Sequence, residues 1–103
     1  MLNILITERA EKTLSEIIDF YLTEFTIERT KKVLDSMDDA FTKIAKAPFL
    51  NPICFDIKTP QNNIRQFILQ DTFKIIYRIQ SDTVEIIEIF HGNRNPEIIK
   101  DID

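Results

Sequence analysis

The chain has 103 residues, 44% of them hydrophobic and 29% charged, with a net charge of −4 and a pI near 5.0. A length of this order builds one core, so a single domain over 1–103 is expected, and no apolar run approaches the roughly 20 residues of a membrane span. The acidic balance excludes a broad electrostatic grip on nucleic acid, which rests on a clearly basic face.

The opening Met1-Leu2-Asn3-Ile4 lacks the basic-then-apolar order of a secretory signal, and an intracellular site of action is expected. Leu2 to Ile6 is short, apolar and β-branched, and reads as a first strand. Thr7 is placed to cap the following helix, with Glu8 and Glu11 near its positive end. Ala10, Leu14, Ile17, Ile18, Tyr21, Leu22 and Phe25 recur at helical spacing, and after an interruption at Thr23–Thr26 a second stripe runs through Ile27, Val33, Leu34, Met37, Phe41, Ile44 and Ala45 until Pro48. The two stripes predict a helical hairpin lying on one side of a sheet.

Ile53 to Ile57 is at most a short edge strand, and the lone Cys54 within it reads as a small buried apolar residue, not as part of a disulfide or metal framework. Ile64 to Leu69, Phe73 to Ile79 and Val84 to Phe90 are separated by loops of hairpin length and predict an antiparallel meander. The expected architecture is α+β in two layers: an N-terminal strand, a helical hairpin and the meander, in a four- or five-stranded antiparallel sheet. Leu14, Ile17, Leu34, Met37, Phe41, Phe73 and Ile86 should lie in the core. Consecutive Ile75-Ile76 and Ile86-Ile87 put apolar groups on both sheet faces, so the face away from the helices needs a cover. A protein partner, a homodimer and the segment from Pro96 to Asp103 are the three readings open for it.

The polar cluster His91-Gly92-Asn93-Arg94-Asn95-Pro96 follows the last strand directly, so His91 and Arg94 should stand at the rim of the sheet. Arg65 and Arg78 lie within two consecutive strands, and with the His91/Arg94 cluster they could line one concave surface and hold phosphate. The alternative is that each arginine pairs with a carboxylate such as Glu85 or Glu88. His91 has the chemistry of a proton carrier near neutrality, or is a hydrogen-bonded side chain that fixes the end of the strand. Tyr77 could donate a proton, or pack in the core with its hydroxyl at the surface. With one glycine there is no phosphate-cradling loop, the ligands for a metal cluster are missing, and no cofactor is expected.

The order strand, helical hairpin and meander, with Ile75-Ile76-Tyr77-Arg78-Ile79, Val84-Glu85-Ile86-Ile87 and the closing His91-Gly92-Asn93-Arg94, resembles the RelE/ParE family of toxins over nearly the whole chain. Ala10, Ile17, Pro48 and Arg65 also match. The resemblance implies a cytoplasmic toxin of a bacterial type II toxin–antitoxin module, wrapped and neutralised by an antitoxin from an adjacent gene.

The family divides by target. RelE-like members cleave messenger RNA on the ribosome and look strongly basic, whereas this chain offers only Lys58, Arg65, Lys74, Arg78, His91 and Arg94 around the corresponding groove. ParE-like members poison DNA gyrase without cutting RNA, and the His-Gly-x-Arg ending is more similar to theirs. The resemblance therefore implies a gyrase inhibitor whose target-binding residues are Arg78, His91 and Arg94. In a ribonuclease, Arg65 and Arg78 would hold phosphate while Tyr77 and His91 moved protons. A member that binds its antitoxin without toxicity is a third reading.

Overall fold

Thr7 starts the helical layer by holding two elements at once. Its Oγ1 accepts from the Ala10 N–H at 3.1 Å, which caps α1 (Glu8–Glu24), and lies 3.0 Å from both the Ile86 and Ile87 carbonyls, to which it donates. A hydroxyl that caps a helix removes one of its orphan amides, and here the same group ties the helix to a strand. The computed structural model describes residues 1–54, 63–70 and 72–92. Its elements are β1 (Asn3–Ile6), α1, α2 (Ile27–Lys46), β2 (Ile64–Leu69), β3 (Phe73–Gln80) and β4 (Thr83–His91).

The sheet order is β1-β4-β3-β2, with the meander antiparallel as expected and β1 parallel to β4. The wholly antiparallel sheet expected from the sequence is thereby corrected. The reason lies in the helical hairpin, which returns the chain to where β1 began: the Leu2 N–H donates to the Ala45 carbonyl at 3.1 Å. β2 therefore starts in the direction of β1, and the third strand of a meander begun that way runs in that direction again.

The helices cover one face. Ala10, Ile17 and Tyr21 from α1 and Met37, Ala40, Phe41 and Ile44 from α2 are buried against Phe73, Ile75, Tyr77, Val84, Ile86 and Ile89. Leu14 packs there half-buried, and Leu34 is also half-buried, short of the core position expected for it. Ile27, expected on the apolar stripe, is 68% exposed, and Thr30 is buried in the first turns of α2, its hydroxyl satisfied by donating back to the Thr26 carbonyl at 2.9 Å.

A bulge lets β4 bury residues on both faces. Tyr77 pairs with Ile86 and Ile76 with Glu88, so Ile87 is an extra residue that points to the far face. Cys54, Ile64, Ile76, Ile87 and Phe90 form a second cluster there and are buried within the chain itself. The open apolar face inferred from the sequence is thus already covered, and exposed apolar side chains appear elsewhere: Phe20, Leu22 and Phe25 on the helical hairpin, Phe49 and Leu50 after α2, and Ile68 on β2. Of the short strand expected at Ile53–Ile57, Ile53 makes a single bridge to Arg65, and 55–57 lie outside the described residues.

Candidate functional site

His91 ends β4 half-buried on the helix-covered side, because its register partner is Phe73 and paired residues share a face. The imidazole stacks on the Phe73 ring at 4.8 Å, meets Phe20 edge-on at 5.4 Å and sits with Nε2 3.4 Å from the Tyr21 hydroxyl. A cleft of about 220 Å3 between His91, Phe20, Glu16 and Thr13 opens beside it. Gly92 follows at φ 74°, a left-handed backbone that suits glycine, and its N–H donates to the Thr72 carbonyl at 2.7 Å. The end of β4 is thereby fastened to the turn before β3. The aromatic cluster continues outward to Phe25, over which the Arg29 guanidinium lies at 5.4 Å.

Tyr77 and Arg65 form a second group. They are register partners on the helix-covered face, four positions along β3 from Phe73, which is about 13 Å of strand. The Tyr77 side chain is fully buried; its hydroxyl donates to the Pro48 carbonyl at 2.6 Å and accepts from the Asn51 amide at 3.1 Å. Burial raises the phenol pKa above its ordinary value, opposed by the Asn51 hydrogen bond and by the Arg65 charge. Arg65 Nη1 donates to the carbonyls of Asn51 (2.7 Å) and Phe49 (3.2 Å), and its guanidinium lies 5.1 Å from the Phe49 ring centre. Four hydrogen bonds with Arg65 of β2 and Tyr77 of β3 thus hold residues 48–51 in place. Phe49 and Asn51 escaped the sequence reading; the signal was the Pro-x-x-Asn-Pro spacing, which makes a tight, polar-backboned turn that needs donors.

Arg78 stands apart from both groups. It pairs in register with Ile64 of the second cluster and with Glu85, so it projects from the far face, where Nη1 lies 3.6 Å from the Glu85 carboxylate. Among the sequence-predicted residues the structure brings together Arg65 and Tyr77. Arg78 lies on the opposite side of the sheet and His91 at the far end of the strand, and no single concave surface holds the four. Arg94 and Lys58 lie outside the described residues. Glu88, considered as a partner for an arginine of the sheet, is buried and bonds instead to Arg9 of α1, at 2.8 Å.

Among the described residues no helix is long and apolar enough to cross a membrane, and no group of side chains could hold a metal ion. No curated protein matches the chain significantly in sequence. In fold it is similar to a chain of the chromosomal ParDE toxin–antitoxin system from P. aeruginosa, with TM-score 0.72 and 16% identity, over 90% of this chain and 98% of that one. It is also similar to the conserved hypothetical protein HP0894 from Helicobacter pylori, with TM-score 0.53 and 12% identity, over 88% and 94%. Residues 4–96 match the model of the ParE toxin of the type II toxin–antitoxin system parDE. With the match spanning β1 to the end of the described chain and beyond, this protein belongs to the ParE toxin family.

Proposed function

We propose that this chain poisons DNA gyrase without cleaving RNA, and that an antitoxin from an adjacent gene neutralises it in the cytoplasm. Family membership supports the toxin reading. The choice of a non-enzymatic mechanism rests on one observation: the groups that RNA cleavage would have to bring to a single phosphate point apart. Cleavage through a 2′-hydroxyl needs a base, an acid and a cation around one phosphorus. Arg65 donates to two backbone carbonyls, the Tyr77 hydroxyl donates a hydrogen bond to the Pro48 carbonyl, and Arg78 faces the other side of the sheet beside Glu85. A protein that acts by contact needs no such convergence, and Arg78, His91 and Arg94 then serve as contact residues for the target.

The test is where damage appears in cells expressing the free protein. Growth arrest with DNA-damage signalling, inhibited supercoiling and intact messages is expected, with growth restored by the adjacent gene. Arg94→Ala should weaken inhibition, whereas His91→Ala removes one contact and need not abolish it, because no proton has to move. Ribosome-dependent cleavage of messenger RNA, lost on changing His91 or Arg78 in a folded protein, would overturn the gyrase reading. Normal growth at high levels of soluble protein would leave an antitoxin-binding member without toxicity.

A further inference from the structure

We infer that the cleft beside His91 is a receptor for a single arginine side chain presented by the target protein, which the Glu16 carboxylate and the Thr13 hydroxyl bind against the Phe20 ring. The inference rests on the reading that His91 contacts the target, and it assigns the chemistry that the target brings to that contact.

Thr13, Glu16, Ile17 and Phe20 line the cleft from α1, and His91 closes it from β4. Steps of three and four residues put the four on one helix face. Ile17 is buried, and His91 is held by its stack on Phe73 and by the Tyr21 hydroxyl, so the walls are fixed before anything binds.

Two polar groups of the cleft have nothing to bind. Thr13 is only 9% exposed, yet its hydroxyl makes no hydrogen bond with any described residue. Thr30 and Thr42 of α2, by contrast, each donate back to the carbonyl four residues earlier. Among the described residues no side-chain oxygen is both shut off from solvent and unsatisfied, so the Thr13 oxygen is still reached from outside, and the cleft is the opening it lines. The exposed Glu16 carboxylate pairs with no described cation, although Lys12 precedes it by one helical turn.

Charge and shape select the ligand. α1 carries five carboxylates against two basic side chains, and one of those two, Arg9, is engaged by Glu88. The face therefore attracts a cation. At about 220 Å3 the cleft falls below the roughly 300–1,000 Å3 of drug-sized sites and suits the head of one side chain. An exposed carboxylate holds a free ion weakly, so the cation has to arrive as part of a larger docking surface. The Phe20 and Phe25 rings, 6.0 Å apart and both exposed, extend that surface outward from the mouth. A guanidinium satisfies the three groups together: its fork donates to both carboxylate oxygens, a further N–H reaches the hydroxyl oxygen, and its plane lies on an aromatic ring. A lysine ammonium is a strongly hydrated point charge with no plane to offer Phe20.

The test has one arm for the cleft and one for its use. In the free protein, N-acetyl-arginine amide at up to about 100 mM should shift the Phe20 and His91 ring resonances. N-acetyl-citrulline amide, of the same length without the charge, should leave them in place at matched ionic strength, and Glu16→Gln should remove the response to arginine. In a supercoiling assay, Glu16→Gln and Thr13→Val should each raise the protein concentration needed for inhibition by about tenfold. Their unfolding midpoints should be no lower than the parent's, since neither side chain has a partner to lose. If both variants inhibit as the parent does, the inference fails and the gyrase reading stands. If the parent itself leaves supercoiling intact, the gyrase reading fails and the probe decides alone: a charge-dependent shift keeps the arginine receptor, and its absence removes it. A shift of the same resonances by guanosine monophosphate and not by the arginine amide would give the cleft to a nucleobase and overturn the inference as well.

Discussion

The hydroxyl of Tyr77 donates to the carbonyl of Pro48 at 2.6 Å, joining the middle of the sheet to the turn that ends α2. Tyr77→Phe removes that bond and the Asn51 contact and leaves the acceptor unmet. A loss of about 1–2 kcal/mol is expected by urea denaturation. Because the phenol pKa is raised in the folded state, the unfolded chain gives up its proton first as pH climbs past about 10, and stability falls there. The phenylalanine variant lacks this contribution, so its stability should decline less steeply on the alkaline side. Equal slopes for the two proteins would show that Tyr77 does not titrate as its burial demands. On the gyrase reading, the folded variant still arrests growth.

Thr7 joins cap and bulge. Thr7→Val keeps the shape and loses the oxygen that the Ala10 amide and the Ile86 and Ile87 carbonyls share. A cost of about 1–2 kcal/mol is expected, with faster amide exchange in the first turn of α1 as the distinguishing mark.

Much of this architecture was legible in the chain. The stripes, Thr7, Pro48 and the hairpin-length loops identified the elements, because amphipathic periodicity and turn residues act over a few neighbours. The parallel docking of β1 was not legible, since nothing local distinguishes a strand that will pair with the chain's far end. The separation of Arg65 from Arg78 was within reach: Leu69 and Phe73 close the first hairpin, which sets Arg65 opposite Tyr77 and turns the adjacent Arg78 to the other face. The partner of Glu88 could not be seen at all, because Arg9 is 79 positions away.

That pair should be felt in stability. Glu88 is buried, accepting from the Arg9 Nε and from the Ile89 N–H at 2.9 Å, while the Arg9 side chain is 42% exposed. Solvent around Arg9 limits the Coulombic part, so Arg9→Ala should cost about 1 kcal/mol. Glu88→Ala, which also strands a buried amide, should cost more, about 1–3 kcal/mol. The reverse order would mean that Arg9 contributes chiefly by packing.

Ser81 occupies φ 52° in the two-residue turn between β3 and β4. A side chain in this left-handed region is strained, and Ser81→Gly should raise the unfolding free energy by about 0.5–1 kcal/mol. A lower midpoint would mean that the entropy added to the unfolded chain outweighs the relieved strain.

Phe41 and Ile86 both lie in the helix–sheet core. Truncating either to alanine should cost about 2–5 kcal/mol, whereas Leu34→Ala, at a half-buried position, should cost less. Unchanged midpoints for Phe41→Ala and Ile86→Ala would mean that the core has been assigned to the wrong faces.

The parallel pairing of Asn3 with Thr83 has a consequence during translation. Of the described strands β1 leaves the ribosome first, yet its neighbour is β4, and it waits on the synthesis of both helices and the rest of the meander. Until β4 emerges, the central slot of the sheet is empty and α1 has no strand to which Thr7 can fasten it. Such long-range closure is slow. A chain truncated before β4 should therefore stay unassembled, so that the folded toxin exists only once β4 has been made.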